Sequence, residues 1–133
     1  MNKVLVSLGS NQDKEKNIRL ADQLLSDYCV SIRFSKAVYT KPVDMQNQSL
    51  FLNQVAIAFS PERPDEITNT FKRIERQLGR AVEDKSRGRV LIDIDLLQWN
   101  DRVLKPDDLQ RPYVQSALGA LSDTGQEDER SNQ

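Results

Sequence analysis

Residues 3–8, Lys-Val-Leu-Val-Ser-Leu, form a short apolar run closed by Gly9-Ser10-Asn11, which predicts a strand and a turn into a helix. The helix is predicted over 14–28, where Ile18, Ala21, Leu25 and Tyr28 recur at spacings of three and four and Lys14, Glu15, Lys16 and Arg19 face water. Residues 30–40 return to alternation, Val30, Ile32 and Phe34 against Ser31, Arg33 and Ser35, and read as one half-buried strand. A polar, proline-broken loop over 41–50 follows. Residues 51–59 then read as a strand with Phe51, Asn53, Val55, Ile57 and Phe59 on one face. Pro61 and Pro64 bracket a turn into a second helix over 64–78, with a core stripe of Ile67, Phe71, Ile74 and Leu78 and a stop at Gly79. Residues 91–97 form another short apolar strand. Val103-Leu104 suggests a last short strand and 113–121 a short helix, with Pro106 and Pro112 keeping the rest irregular. The stretch 122–133 has no apolar residue and is expected to be a disordered tail.

The order strand, helix, strand, strand, helix, strand predicts an α+β protein of the ferredoxin-like βαββαβ plan: an antiparallel sheet with two helices packed on one face. A single domain over 1–121 is expected, with the tail outside it. Many activities share that plan, so function has to be read from the site.

Composition narrows the choices. The chain of 133 residues is 38% apolar and 29% charged, with net charge −1, which argues against a nucleic-acid partner. No apolar run approaches the roughly 18 residues of a membrane span, so no membrane association is expected. Cys29 stands alone between Tyr28 and Val30 and is expected to be a buried, unreactive thiol in a cytoplasmic protein. The chain has no histidine, which excludes Ser-His and Cys-His catalysis and histidine-based metal sites. An enzyme built from this chain must use carboxylates, arginines and metal-bound phosphate.

Against that background the strand 91–97, Leu-Ile-Asp-Ile-Asp-Leu-Leu, needs explaining. Asp93 and Asp95 point to the same side, about 6–7 Å apart at the backbone, while Ile92, Ile94 and Leu96 fill the other. Two like charges on a core strand repel and lose hydration unless something positive sits between them. A divalent cation carrying phosphate would meet that need. The loop before the strand brings Arg80, Arg87 and Arg89, a run that is either plain surface charge or a phosphate clamp. Asn53, an amide among apolar neighbours, must find partners, in a ligand or in a loop backbone. Gly9-Ser10-Asn11 is either a tight connection or a place where backbone approaches a ligand, and the loop 41–50 is longer than a hairpin needs.

The motifs Gly9-Ser10-Asn11, Tyr39-Thr40-x-Pro42, Phe51-Leu52-Asn53, Ile74-Glu75-x-x-Leu78-Gly79-Arg80 and Asp93-Ile94-Asp95-Leu96-Leu97 occur in one order. Together they resemble the 6-hydroxymethyl-7,8-dihydropterin pyrophosphokinase (HPPK) family. The resemblance implies the same fold and transfer of pyrophosphate from ATP to the hydroxymethyl group of the pterin in folate biosynthesis, with two Mg²⁺ ions. It implies Asp93 and Asp95 as metal ligands, Thr40, Val43, Phe51 and Asn53 as pterin-binding residues, and Glu75, Arg80 and Arg87 as nucleotide-binding residues. Arg80 and Arg89 become the catalytic arginines, the partners are the pterin and ATP, and the protein is a monomer or weak dimer. Mobile loops at 9–13, 41–50 and 80–90 would close over the substrates. Five departures stand out. Val90 and Val82 occupy positions where the family places arginine, and Arg87 falls near the aromatic that caps the pterin. Pro112-Tyr113 replaces a Pro-His pair, and the C-terminal region is shortened. Two alternatives follow: a catalytically impaired module that binds nucleotide, pterin or a protein partner, and a scaffold whose aspartates merely face solvent.

Overall fold

The computed structural model describes residues 1–42, 49–81 and 88–131, the last nine of these as backbone. Six strands form one sheet: β1 (Asn2–Ser10), β2 (Ser31–Phe34), β3 (Val38–Thr40), β4 (Phe51–Ser60), β5 (Asp93–Trp99) and β6 (Arg102–Val103). The helices are α1 (Lys14–Tyr28), α2 (Pro64–Gln77), a single turn α3 (Pro106–Leu109) and α4 (Pro112–Ser131). The strand order is β2-β4-β1-β5-β6, with β3 also on β4, and the pairings are antiparallel. Taking β2 and β3 as one interrupted edge strand gives the ferredoxin-like α+β arrangement expected from the element order.

The two faces of the sheet are both used. Val4, Val6 and Leu8 of β1, Leu52, Ala56 and Ala58 of β4, and Ile94 and Leu96 of β5 share one core with Ile18, Ala21 and Leu25 of α1 and Ile67, Phe71 and Ile74 of α2. The α1 and α2 stripes are therefore the ones the periodicity predicts. On the other face Val55, Ile57 and Leu97 pack with Leu109, Val114 and Leu121, so α3 and α4 cover half of the side the two-helix plan leaves bare. The uncovered half carries Ser7 and Gly9 of β1, Phe51 and Asn53 of β4, and Asp93 and Asp95 of β5. A register shift between Leu5 and Val6 against β5 lets Leu97 stay on the second face while Trp99 crosses to the first.

Four expectations change. The strand 30–40 breaks into β2 and β3, because the Ser35 Oγ accepts from the Val55 N–H at 2.9 Å while the Ser35 N–H donates to the Val55 carbonyl at 2.7 Å. The side chain thus stands in for a ladder acceptor and bends the edge, leaving Val30 and Val38 exposed. Gly9 and Ser10 belong to β1 rather than to a turn. The segment after Pro106 forms the turn of helix α3. Last, the helix expected over 113–121 runs through Ser131, where a disordered tail was expected. An established helix adds residues far more cheaply than it nucleates, and no proline interrupts the stretch. Cys29 is buried, and burial pushes its thiol up to about 11, as an inert structural thiol requires.

Asp22 of α1 ties stability to pH. Its Oδ1 and the Gln54 Oε1 are both buried without a hydrogen-bond partner. Burial raises the Asp22 carboxyl to about 7, and the neighbouring Gln54 amide offsets only part of that. The folded protein therefore holds this proton more tightly than the unfolded chain, whose Asp titrates near 3.9. Its stabilising contribution is complete below about pH 4 and is lost as pH rises to about 7. After discounting for partial exposure, Asp22→Asn should be more stable than the wild type by ~1–2 kcal/mol at pH 8 and equal to it near pH 4, read by urea unfolding at the two pH values.

Candidate active site

Gly9 of β1 pairs with Asn53 of β4 on one side and Asp93 of β5 on the other. Strand spacing places those two residues about 10 Å apart on the open half of the sheet. A Cβ at Gly9 would meet the Asn53 Oδ1 at 3.2 Å and the Phe51 ring at 3.8 Å. The glycine is thus a floor over which the Asn53 amide leans, and its backbone φ is ordinary, so close approach and not turn geometry explains it. The Asn53 Nδ2 donates to the Thr40 Oγ1, from the neighbouring β3 strand. Thr40, Phe51 and Asn53 consequently form one wall.

The carboxylate pair faces the same cavity, whose volume is about 1210 Å³. Asp93 Oδ1 lies 2.8 Å from Arg80 Nη1, and Asp95 Oδ1 lies 3.2 Å from Lys105 Nζ. Burial and the adjacent Asp93 push the Asp95 carboxyl up to about 6. Asp93 moves down: burial raises it, but hydrogen bonds from Asp95 and Arg80 outweigh that. The crowding of the two acids thus falls on Asp95, while Asp93 keeps its charge more readily.

Arg80 owes its place to the end of α2. Gly79, at φ 100°, lets the Gly79 N–H bond to the Arg76 carbonyl and the Arg80 N–H to the Glu75 carbonyl, both at 3.0 Å. That double closure is a Schellman motif, and it folds Arg80 back over its own helix. There the Arg80 Nη1 meets the Glu75 Oε2 at 3.0 Å and the Ile92 carbonyl at 3.2 Å, in addition to Asp93. The Glu75 Oε2 in turn accepts from the buried Ile94 N–H at 2.7 Å. Glu75 thereby caps the strand between the two aspartates, and burial raises its carboxyl despite the Ile94 N–H and Arg80. Gly79→Ala should cost ~1 kcal/mol in urea unfolding, because a side chain disfavours that φ, and should loosen Arg80 from Glu75 and Asp93.

Asn11 ties the far end of β1 to the stretch before β5. Its N–H donates to the Val90 carbonyl at 2.9 Å, its Nδ2 donates to the Gly88 carbonyl at 2.8 Å, and its Oδ1 accepts from the Val90 N–H at 2.6 Å. The Gly-Ser-Asn motif is accordingly a floor residue followed by a clasp.

Of the residues singled out in the sequence, Thr40, Phe51, Asn53, Glu75, Arg80, Asp93 and Asp95 come together around this cavity. Val43, Val82 and Arg87 lie outside the described residues, as do most of the loops 41–50 and 80–90. Arg89 is not brought in: Gly88 and Val90 line the cavity, whereas Arg89 is exposed and is not among the described residues that line it. Val90 holds the inward position, so its neighbour cannot also take it without shifting the backbone. Sequence reading missed Lys105, Asp108, Arg111 and Tyr113, which also border the cavity. Lys105 precedes α3, and the close approach of Arg111 and Tyr113 depends on the C-terminal helix crossing the second face. The only signal for it was a charged and aromatic cluster around Pro112.

Among the described residues, no cluster of three or more His, Cys, Asp or Glu side chains could hold a metal ion alone. Asp93 and Asp95 nevertheless fit Mg²⁺, which typically takes one or two carboxylates and completes its shell with phosphate oxygens and water. Two crowded carboxylates, one of them reluctant to ionise, gain most from a cation placed between them. No helix among the described residues is long and apolar enough to cross a membrane.

The fold and this face define a class: an α+β domain whose open sheet surface sets an amide-and-aromatic recess beside a carboxylate pair flanked by cations. Residues 5–123 match the family described as 7,8-dihydro-6-hydroxymethylpterin-pyrophosphokinase (HPPK), and the chain belongs to that family. It is 30% identical over 131 residues to the "Folate synthesis bifunctional protein" of Arabidopsis thaliana, covering 91% of this chain and 27% of that one. It is 32% identical over 111 residues to the 2-amino-4-hydroxy-6-hydroxymethyldihydropteridine pyrophosphokinase of Aquifex aeolicus, covering 83% of this chain and 69% of the relative. The protein of the same name from Bacillus subtilis is 31% identical over 111 residues, covering 81% and 66%. The chain thus spans about a quarter of the plant bifunctional protein and about two thirds of these bacterial relatives.

Proposed function

We propose that this protein transfers the β,γ-pyrophosphoryl group of ATP to the hydroxymethyl group of 6-hydroxymethyl-7,8-dihydropterin, releasing AMP. The observation that carries the reading is the placement of the Asn53 wall and the Asp93–Asp95 pair on either side of Gly9 in one cavity. A volume of about 1210 Å³ exceeds what one drug-sized ligand fills, which supports two substrates side by side. Asn53, fixed by Thr40, offers its Oδ1 to the donor edge of the pterin ring, and Phe51 and Tyr113 offer aromatic faces to it.

Asp93 and Asp95 would hold two Mg²⁺ ions, which would supply positive charge to neutralise the triphosphate. Arg80, fixed by Glu75 and Ile92, keeps a positive charge at the same spot throughout, so no reorganisation is needed as charge develops. Lys105 and Arg111 add further positive charge from the α3 side of the cleft. The protein works as a soluble cytoplasmic enzyme on small molecules, as a monomer or weak dimer. Incubation with Mg²⁺, ATP and the pterin tests the reading. AMP and a pterin diphosphate ester are expected by ³¹P NMR, and absence of AMP with ATP binding intact would leave only the binding module.

A further inference from the structure

Each carboxylate of the pair has its own cation, but the two cations are held differently. Arg80 Nη1 contacts Asp93, Glu75 and the Ile92 carbonyl, and its side chain is only 21% exposed. Moving it would strip a buried carboxylate and a carbonyl of their partner at once. Lys105 is the opposite case. Its backbone is pinned, since the Leu104 and Lys105 N–H groups both donate to the Leu97 carbonyl, at 2.8 and 3.2 Å. Its side chain is 47% exposed, and Asp95 is its single ion pair among the described residues. A four-carbon stem on a fixed backbone, six residues along the chain from the end of the strand that carries the carboxylates, can swing with Asp95 as the partner it gives up. Across the cavity Val90 presents no charge, and Arg111 is already paired with Asp108 at 3.0 Å.

We propose that Lys105 is a phosphate-binding residue of this site, a proposal that rests on the reading above. With no nucleotide bound it pairs with Asp95. Asp95 releases it on engaging a divalent cation, and the ammonium moves to an oxygen of the polyphosphate, supplying charge that Val90 does not. No bond is made or broken in this exchange of partners, and the fixed Arg80 and mobile Lys105 divide the work of holding charge on either side of the transferred group.

Two measurements test it. Amine acylation of the whole protein, read by mass spectrometry, should show Lys105 protected at least fivefold by Mg²⁺ with tripolyphosphate, while Lys3 on β1 reacts unchanged. Unaltered acylation of Lys105 at saturating tripolyphosphate overturns the proposal. In the AMP assay Lys105→Met should lose about 30- to 100-fold in kcat, with Lys105→Arg keeping most of it. If the wild type forms AMP and Lys105→Met matches it, the Lys105 assignment falls and the pyrophosphokinase reading stands. If the wild type forms no AMP, that reading falls, and the protection result alone decides whether Lys105 binds phosphate.

Discussion

Replacing Asp95 with asparagine is expected to cut AMP formation by about a thousandfold or more while leaving the unliganded protein at least as stable as the wild type. The activity loss follows from the position of Asp95. It lies on the cavity side of β5, paired in register with Ser7 of the central strand, and with Asp93 it is half of the described carboxylate platform for metal-bound phosphate. A neutral amide keeps the shape but removes one of two negative charges, and a Mg²⁺ held by so few protein ligands has little to replace it. The stability side runs the other way, because Asp93 and Asp95 are like charges on one face of a buried strand and their repulsion is relieved in the variant. Loss of the Lys105 ion pair offsets part of that gain, since the pair is half-exposed and worth little. Steady-state kinetics and urea unfolding on the same preparation read both effects. A variant that lost activity and stability together would indicate misfolding rather than a missing ligand.

Asn53→Ala should weaken pterin binding by about 10- to 100-fold, equivalent to ~1.4–2.7 kcal/mol, with binding of a Mg²⁺-ATP analogue unchanged. Asn53 is 7% exposed and is anchored through its Nδ2 on Thr40, so its carbonyl oxygen is aimed and needs no ordering when a ligand arrives. Alanine removes the acceptor and leaves the pterin's donors facing an apolar wall. Gly9→Ala should reproduce the effect more mildly, by several-fold, since its Cβ would press on the Asn53 Oδ1 from 3.2 Å. Calorimetric titration with the pterin and with the ATP analogue separates the two ligands. Equal weakening of both would place Asn53 in general packing and not in pterin recognition.

The sequence carried these two predictions because both residues break their local pattern. Asn53 interrupts an apolar alternation and the aspartates interrupt an Ile-Leu strand, and in each case the interrupting residue lines the cavity. The helices were legible for the same reason: α1 and α2 each bury one stripe in one core, and Pro64 and Gly79 mark the ends of the second. What was hidden depends on contacts between distant segments. The break at Ser35 comes from a hydrogen bond to Val55, and the clasp of Asn11 closes on Val90, 79 residues away. Lys105 and Tyr113 reach the cavity only because Leu109, Val114 and Leu121 dock α3 and α4 on the second face of the sheet. A four-residue helix and a mostly polar twenty-residue one carry too weak a periodic signal to announce that docking. Arg89 shows the limit of nearness in sequence: it is exposed, while Val90 beside it lines the cavity.

The account depends on the carboxylate pair being a seat for metal-bound phosphate. Crystals grown with Mn²⁺ and a non-hydrolysable ATP analogue would test that directly, by anomalous difference density. A peak about 2.0–2.2 Å from oxygens of both Asp93 and Asp95, bridged to the nucleotide phosphates, is the predicted result. Nucleotide bound in the cleft with no metal between the two aspartates would contradict it.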